Sequence, residues 1–235
     1  PRDGYAWKTM LFLGFFQMLD YAFVFWGEQF IDSAIGAILF ATMPFFVVLL
    51  SYFMLKEHNI TPIKVIGLTV SFAGVVIIFV RDILDSKNSV TGDVSIILAS
   101  LCGAIISVYA KKHANEINAV TNTAVQMFMC AVLLSAVGLI SEKTGDVHLT
   151  LTGALAVIYL GIVGSAVAFV LYMWVIKKVS AVEASIIPVV TPIIAVFLGW
   201  LVLDEKLGVN SLIGCGFILI GVYLAIHDCF TNSQT

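Results

Sequence analysis

Charge is scarce in this chain. Only 11% of its 235 residues are Asp, Glu, Lys or Arg, too few to coat a soluble globule of that size. Basic residues never run beyond the pairs Lys111-Lys112 and Lys177-Lys178, and the net charge is −3. Such a pattern gives no electrostatic footprint for nucleic acid. The four cysteines, Cys102, Cys130, Cys215 and Cys229, are scattered without CxxC or metal-ligand spacing, so they read as packing residues rather than redox or metal centres. A GxxxxGK[ST] loop is absent, and His58, His113, His148 and His227 fall in loops or at segment ends. No nucleophile and base stand at a recognisable spacing, so no enzyme, cofactor or metal is expected. The chain opens on Pro1 without a basic, apolar, small-residue leader, which reads as a fragment.

Hydrophobic residues make up 60% of the sequence and mean hydropathy is +1.05. Eight apolar segments follow one another, at about Lys8 to Trp26, Ala34 to Leu55, Ile63 to Val80, Val94 to Ala110, Val120 to Ile140, Leu151 to Ile176, Ala181 to Leu203 and Val209 to Ile226. Each has roughly the 17 to 25 residues that carry a helix across about 30 Å of hydrocarbon. Continuous runs without period-2 alternation exclude a barrel, so the expected fold is all-α, a polytopic membrane helix bundle with eight transmembrane helices. Thr61 with Pro62 predicts a capped helix start. Val90-Thr91-Gly92-Asp93 and Ser141-Glu142-Lys143-Thr144-Gly145 read as polar turns.

The chain also repeats itself. Ser33, Ala34, Ala37, Pro44, Leu55-Lys56-Glu57, Gly67 and Gly74 recur as Ser180, Ala181, Ala184, Pro192, Leu203-Asp204-Glu205, Gly214 and Gly221, at an offset of 147 or 148 residues. An internal duplication follows, with units at 1–82 (three helices) and 93–228 (five helices). Placing the first residues and the C-terminus in the cytoplasm collects Arg2, Lys8, Lys56, Lys64, Lys111, Lys112, Lys177 and Lys178 inside, against Arg81, Lys87, Lys143 and Lys206 outside. The inside excess favours that orientation. The two copies then run in opposite directions, an inverted repeat of the kind found in secondary transporters. The second unit has two helices more than the first, so two further helices are expected upstream.

Polar residues within the apolar runs mark candidate sites. Gln17, Asp20 and Tyr21 form a stripe on the first segment, which ends at Glu28, a solvated edge position. A charge at membrane depth costs about 2.5 to 3.5 kcal/mol on insertion scales, so Asp20 is expected to face the interior. There it either lines a cavity or glues the bundle by hydrogen bonding. Ser100, Gly103 and Ser107, then Gln126 with Asn122, then Gly161, Ser165 and Tyr172 form milder stripes. Each could bond a metabolite or a neighbouring helix; for the small members close packing is the favoured reading, whereas Gln126 and Tyr172 need partners when buried. Thr42 and Thr191 neighbour prolines, and Pro44, Pro188 and Pro192 are expected to kink their helices. Gln17, Asp20, Tyr21, Thr42, Gln126, Ser165, Tyr172 and Thr191 are thus the candidate substrate-binding residues. Gln17, Asp20, Tyr21, Thr42, Ser165, Tyr172 and Thr191 are expected to converge on a midplane cavity. Because burial penalises the charged form, Asp20 is also the candidate for taking up a coupling proton. A direct contact from Asp20 to a substrate amine is the competing account.

Ser33-Ala34-x2-Ala37, Ala41-Thr42-Met43-Pro44, Leu55-Lys56-Glu57 and Gly67-x6-Gly74, with their second-half counterparts, resemble the EamA-type branch of the drug/metabolite transporter superfamily. The resemblance covers nearly the whole chain. It implies an inner-membrane carrier of ten helices in two five-helix repeats, a cavity between them, and passage of small metabolites by alternating access. Amino-acid-like compounds, other polar metabolites and amphipathic drugs all remain open as the small-molecule substrate, and so does a homo-oligomer. The rival readings are a non-transporting membrane scaffold or assembly partner and, more weakly, a membrane-embedded lipid enzyme.

Overall fold

A computed structural model describes residues 4–31, 33–55, 61–78, 89–115, 117–141, 150–203 and 209–232. These residues form α1 (Gly4–Gly27), α2 (Ser33–Phe40), α3 (Met43–Met54), α4 (Pro62–Ile78), α5 (Val90–Lys112), α6 (Ala119–Ser141), α7 (Leu151–Lys178), α8 (Ala181–Ala184), α9 (Ile187–Leu203) and α10 (Val209–Asn232). No strand occurs among the described residues. Five apolar helical spans are long enough to cross a bilayer: Ala6–Gly27, Ile35–Met54, Val90–Lys112, Ala119–Leu139 and Leu151–Lys178. Three shorter ones cover Pro62–Ile77, Ala181–Ile194 and Leu212–Ala225. Together they account for the eight apolar segments of the sequence, in a membrane helix bundle.

Two segments that read as single helices are broken. Ala41-Thr42 separates α2 from α3, and Ser185-Ile186 separates α8 from α9. Pro44 and Pro188 are each the second residue of the helix after the break, where a missing N–H leaves no ladder bond unmade. They therefore follow breaks rather than kink continuous helices. Pro192, matched to Pro44 by sequence offset, lies inside α9, so the structural counterpart of Pro44 is Pro188. The short α8 is held by a reciprocal cap. Ser180 Oγ accepts from Glu183 N at 3.2 Å, and a Glu183 carboxylate oxygen accepts from Ser180 N at 3.0 Å.

Thr61 performs the predicted cap, accepting from Lys64 N at 3.3 Å at the start of α4. Val90-Thr91-Gly92-Asp93 is not a turn but the first turn of α5, because extended backbone ends at Ser89. Packing explains the glycine within it: a Cβ on Gly92 would stand 2.7 Å from Ile31 Cγ2 and 3.0 Å from Gly27 O. Lys56, Glu57, Arg81, Lys87, Asp204, Glu205, Lys206 and the 142–145 turn lie outside the described residues.

The tightest helix pair is α4 against α10. A Cβ on Gly67 would stand 2.6 Å from Gly221 O, and one on Gly74 2.6 Å from Gly214 O. Ser71 Oγ donates to Ile218 O at 3.3 Å, across 147 residues. Gly67 corresponds to Gly214 and Gly74 to Gly221, so each contact maps onto the other when the two helices are exchanged. Ser71 and Ile218 sit on the exchange axis. Position 67 meets 221 while 74 meets 214, hence the helices run antiparallel, as a two-fold between inverted halves requires.

Elsewhere, α1 packs on α5 and α6 through Met10, Leu13 and Ile106, and α3 packs on α5 through Val47, Ala104 and Val108. One end of the bundle is tied by lysines. Lys111 Nζ donates to Ile176 O at 3.0 Å and Val179 O at 2.6 Å, and Lys177 Nζ donates to Ile117 O. The remaining feature is in α7, which is π-helical over Leu160–Val167 and largely exposed, as a lipid-facing edge allows.

Candidate functional site

A cavity of about 240 Å³ opens where the two breaks face α1, α5 and α7. Gln17 and Asp20 reach it from α1. Phe40 enters from the end of α2 and Met43 from the start of α3. Gly103 and Ser107 come from α5, Phe169 and Tyr172 from α7, and Ile187 and Pro188 from the start of α9. The breaks matter to this geometry because they end α2 and begin α9 at the cavity wall. An intact helix would have continued past it.

Asp20 is the only charged residue on that wall among the described residues. It is 6% exposed and Gln17 is 1% exposed. Gln17 Nε2 donates to Asp20 Oδ2 at 3.3 Å, whereas Asp20 Oδ1 and Gln17 Oε1 have no protein partner among the described residues. Opposite them, Ser107 and Tyr172 hydroxyls stand 2.8 Å apart, and Ser107 Oγ also donates to Gly103 O at 2.8 Å. A hydroxyl has one proton to give. The Ser107–Tyr172 bond is therefore the one Tyr172 donates.

The other candidate residues are placed differently. Tyr21 neighbours the Ser165 side chain and packs edge-on against Phe169, so that pair sits beside the cavity, behind one of its aromatic walls. The Thr42 hydroxyl donates to Leu39 O at 2.6 Å and lies 3.2 Å from Ser100 Oγ, which pins the α2–α3 break to α5. Gln126 is fully buried, off the cavity wall, and neither of its amide atoms has a protein partner among the described residues. Thr191 is exposed and donates to Ile187 O at 3.1 Å within its own helix. The expected convergence thus holds for Gln17, Asp20 and Tyr172, is one layer removed for Tyr21, Ser165 and Thr42, and fails for Thr191. The cause lies in α9, whose packing on α4 and α10 turns Thr191 outward.

Sequence reasoning missed the aromatic and thioether wall of Phe40, Met43 and Phe169, and favoured packing over ligand contact for Gly103 and Ser107. The signal for Phe40 was its position just before a break, four residues ahead of Pro44. Phe169 carried no signal, because in an apolar helix a cavity-facing ring reads like a lipid-facing one. A second cavity of about 250 Å³ adjoins Phe40 on its other side, lined by Val24, Glu28, Gly36, Ala37 and Ile96. Phe40 is common to both. Glu28, expected as a solvated edge, is exposed there.

The EamA-like transporter family model matches residues 1–80 and again 90–226. Among curated proteins, the chain is similar to the uncharacterized transporter YoaV of Bacillus subtilis, 28% identical over 228 residues, covering 97% of this chain and 75% of that protein. An uncharacterized transporter of Archaeoglobus fulgidus is 26% identical over 94% of this chain and 79% of its own length. The uncharacterized inner membrane transporter YedA of Escherichia coli is 28% identical over 84% of this chain and 63% of its own length. A protein of known crystal structure superposes with a TM-score of 0.79 at 20% identity, over 96% of this chain and 76% of that one, a likeness of fold. These names point to transport rather than to enzymatic activity. With two family matches spanning nearly its whole length and a multi-pass helical bundle between them, the chain belongs to the EamA-like transporter family and is a membrane transporter.

Proposed function

We propose that this chain is the core of a secondary carrier that moves small metabolites by alternating access. The single observation that carries the reading is a cavity enclosed between two broken helices, holding a buried carboxylate with an unpaired oxygen. A broken helix can change its angle at the break without unmaking the ladder on either side, so α2 and α3, and α8 and α9, are natural pivots. The cavity would then face one side of the membrane or the other as the halves rock about the α4–α10 crossing.

The membrane is a cell inner membrane in this proposal, with the first residues and the C-terminus cytoplasmic on the lysine and arginine distribution. The coupling ion is a proton that Asp20 exchanges for cargo as the cavity alternates, Asp20 being the one charged residue among the described residues that line it. A scaffold offers no reason to bury a carboxylate against open space, at a cost of several kcal/mol. The test is transport in proteoliposomes with a labelled panel of amines, amino acids and carboxylates, in the parent and in Asp20→Asn. A pH gradient should drive accumulation of at least one compound in the parent and not in the variant. Equal pH-driven accumulation in both removes Asp20 from coupling.

A further inference from the structure

The cavity presents acceptors and withholds donors. Asp20 and Gln17 line the cavity, and Asp20 Oδ1 and Gln17 Oε1 are buried without a protein partner among the described residues. The donors nearby are already engaged: Gln17 Nε2 on Asp20, Ser107 on Gly103 O, and Tyr172 on Ser107. Among the described residues no Lys, Arg or His lines the cavity. The adjoining cavity repeats the pattern, with Glu28 as the only charged one among the described residues that line it and Phe40 as the shared wall. A ligand moving from one to the other meets a carboxylate at each stage, and no cation at either.

From this we infer that the site selects a small primary or secondary ammonium ion on an apolar or single-ring body, its N–H groups donated to Asp20 and Gln17, and disfavours any ligand bearing a carboxylate. This rests on the cavity being the cargo site. The physical reasons are direct. An N–H donor completes two buried acceptors that otherwise lack partners, and a charge-assisted bond to a carboxylate is the stronger kind. Phe40, Phe169 and Tyr172 line the cavity with aromatic rings, the side chains that suit a cation and the apolar body behind it. A carboxylate on the ligand would find no cation to pair with, and would bring a like charge beside Asp20 in a low-dielectric site. A cavity of about 240 Å³ has room for a body of at least one ring. Zwitterionic amino acids are therefore poor ligands despite their ammonium group.

Binding to the purified intact protein in nanodiscs tests the inference without requiring transport. The probes are phenethylamine, phenylalanine and 3-phenylpropionate, which share a ring and differ in charged groups. Phenethylamine should bind at least about ten-fold more tightly than either carboxylate, the low end for one charge-assisted hydrogen bond. Asp20→Asn should erase that preference and Asp20→Glu should restore part of it. Each variant is checked for a parental melting profile, and the three-probe comparison on the parent stands without any variant. Absence of phenethylamine binding overturns the inference. So does equal or tighter binding of phenylalanine or 3-phenylpropionate, or a preference that survives in Asp20→Asn. The carrier reading fails separately: an amine that binds as described while no compound crosses a proteoliposome membrane would remove transport and leave the selectivity. Carriage of carboxylates by a protein that ignores phenethylamine would do the reverse.

Discussion

Replacing Gly74 with alanine should push the two halves of the molecule apart. The added Cβ would stand 2.6 Å from Gly214 O and 2.8 Å from Ile218 N. Ordinary contact begins near 3.4 Å, so the oxygen is about 0.8 Å too close. Ile218 Cγ1, also at 2.8 Å, could rotate away, but Gly214 O and Ile218 N are backbone and cannot, so α10 must retreat from α4. Overpacking of this kind costs typically 1–3 kcal/mol. Against it stands the helix-propensity gain of Gly→Ala, about 1 kcal/mol. The net loss is about 0–2 kcal/mol, a fall of at most roughly 8 °C in melting midpoint for a chain of this length, while relative to a Gly→Ala change that meets no clash the whole 1–3 kcal/mol is lost. Gly216 supplies the control on the same helix, since a Cβ there meets nothing within 4 Å. Gly216→Ala should leave the midpoint unchanged or raise it. Gly67→Ala should behave as Gly74→Ala does, since it strikes Gly221 O at the symmetry-related contact. The doubly substituted Gly67→Ala, Gly74→Ala protein should lose less than the sum, because one retreat of α10 relieves both clashes. Thermal unfolding in detergent, followed by tryptophan fluorescence, measures all four variants. If Gly74→Ala and Gly216→Ala shift the midpoint alike, the α4–α10 crossing is not as close as described and the two-fold contact falls with it.

Two further outcomes follow from the cavities and the charge distribution. Phe40→Ala should merge the central and outer cavities, so that a cysteine placed at Ser107 reacts several-fold faster with a polar thiol reagent; an unchanged rate would show that Phe40 does not part them. Cysteines at Lys56 and Lys112, in a background without the native cysteines, should be labelled from the cytoplasm and those at Lys87 and Lys143 from outside, while labelling of all four from one side would refute the proposed orientation.

The apolar segments were legible because an uninterrupted run of membrane length has only one regular solution, the helix. The breaks within two of them were not. Residues on either side of Ala41-Thr42 and of Ser185-Ile186 are equally apolar, and hydropathy carries no mark where the ladder stops. Pro44 and Pro188 were the available signs, but sequence offset paired Pro44 with Pro192, because the second half reaches its break in fewer residues from Ser180 than the first does from Ser33. Polar composition misassigned Val90 to Asp93, where Gly92 serves close helix packing rather than a bend. In the site, Asp20 and Gln17 were legible since a charge within an apolar run demands an interior. Thr191 was misread because the rotation of α9 is set by what it packs against, and a helix apolar on every side does not announce its inner face. The aromatic wall was hidden for the same reason.

The lysine ties at one end of the bundle restrict how the molecule can deform. Lys111, near the end of α5, grips two carbonyls at the end of α7, and Lys177, near the end of α7, grips Ile117 in the link from α5 to α6. Each hairpin thus holds the other's loose end. Three helix termini joined in this reciprocal way form a strut with little internal freedom, because tilting any one of them would strip an ammonium group from a carbonyl. α2, α3 and α8 pack directly on these tied helices, so the freedom left to the cavity lies at the interruptions between α2 and α3 and between α8 and α9, and not in the helices they lean on.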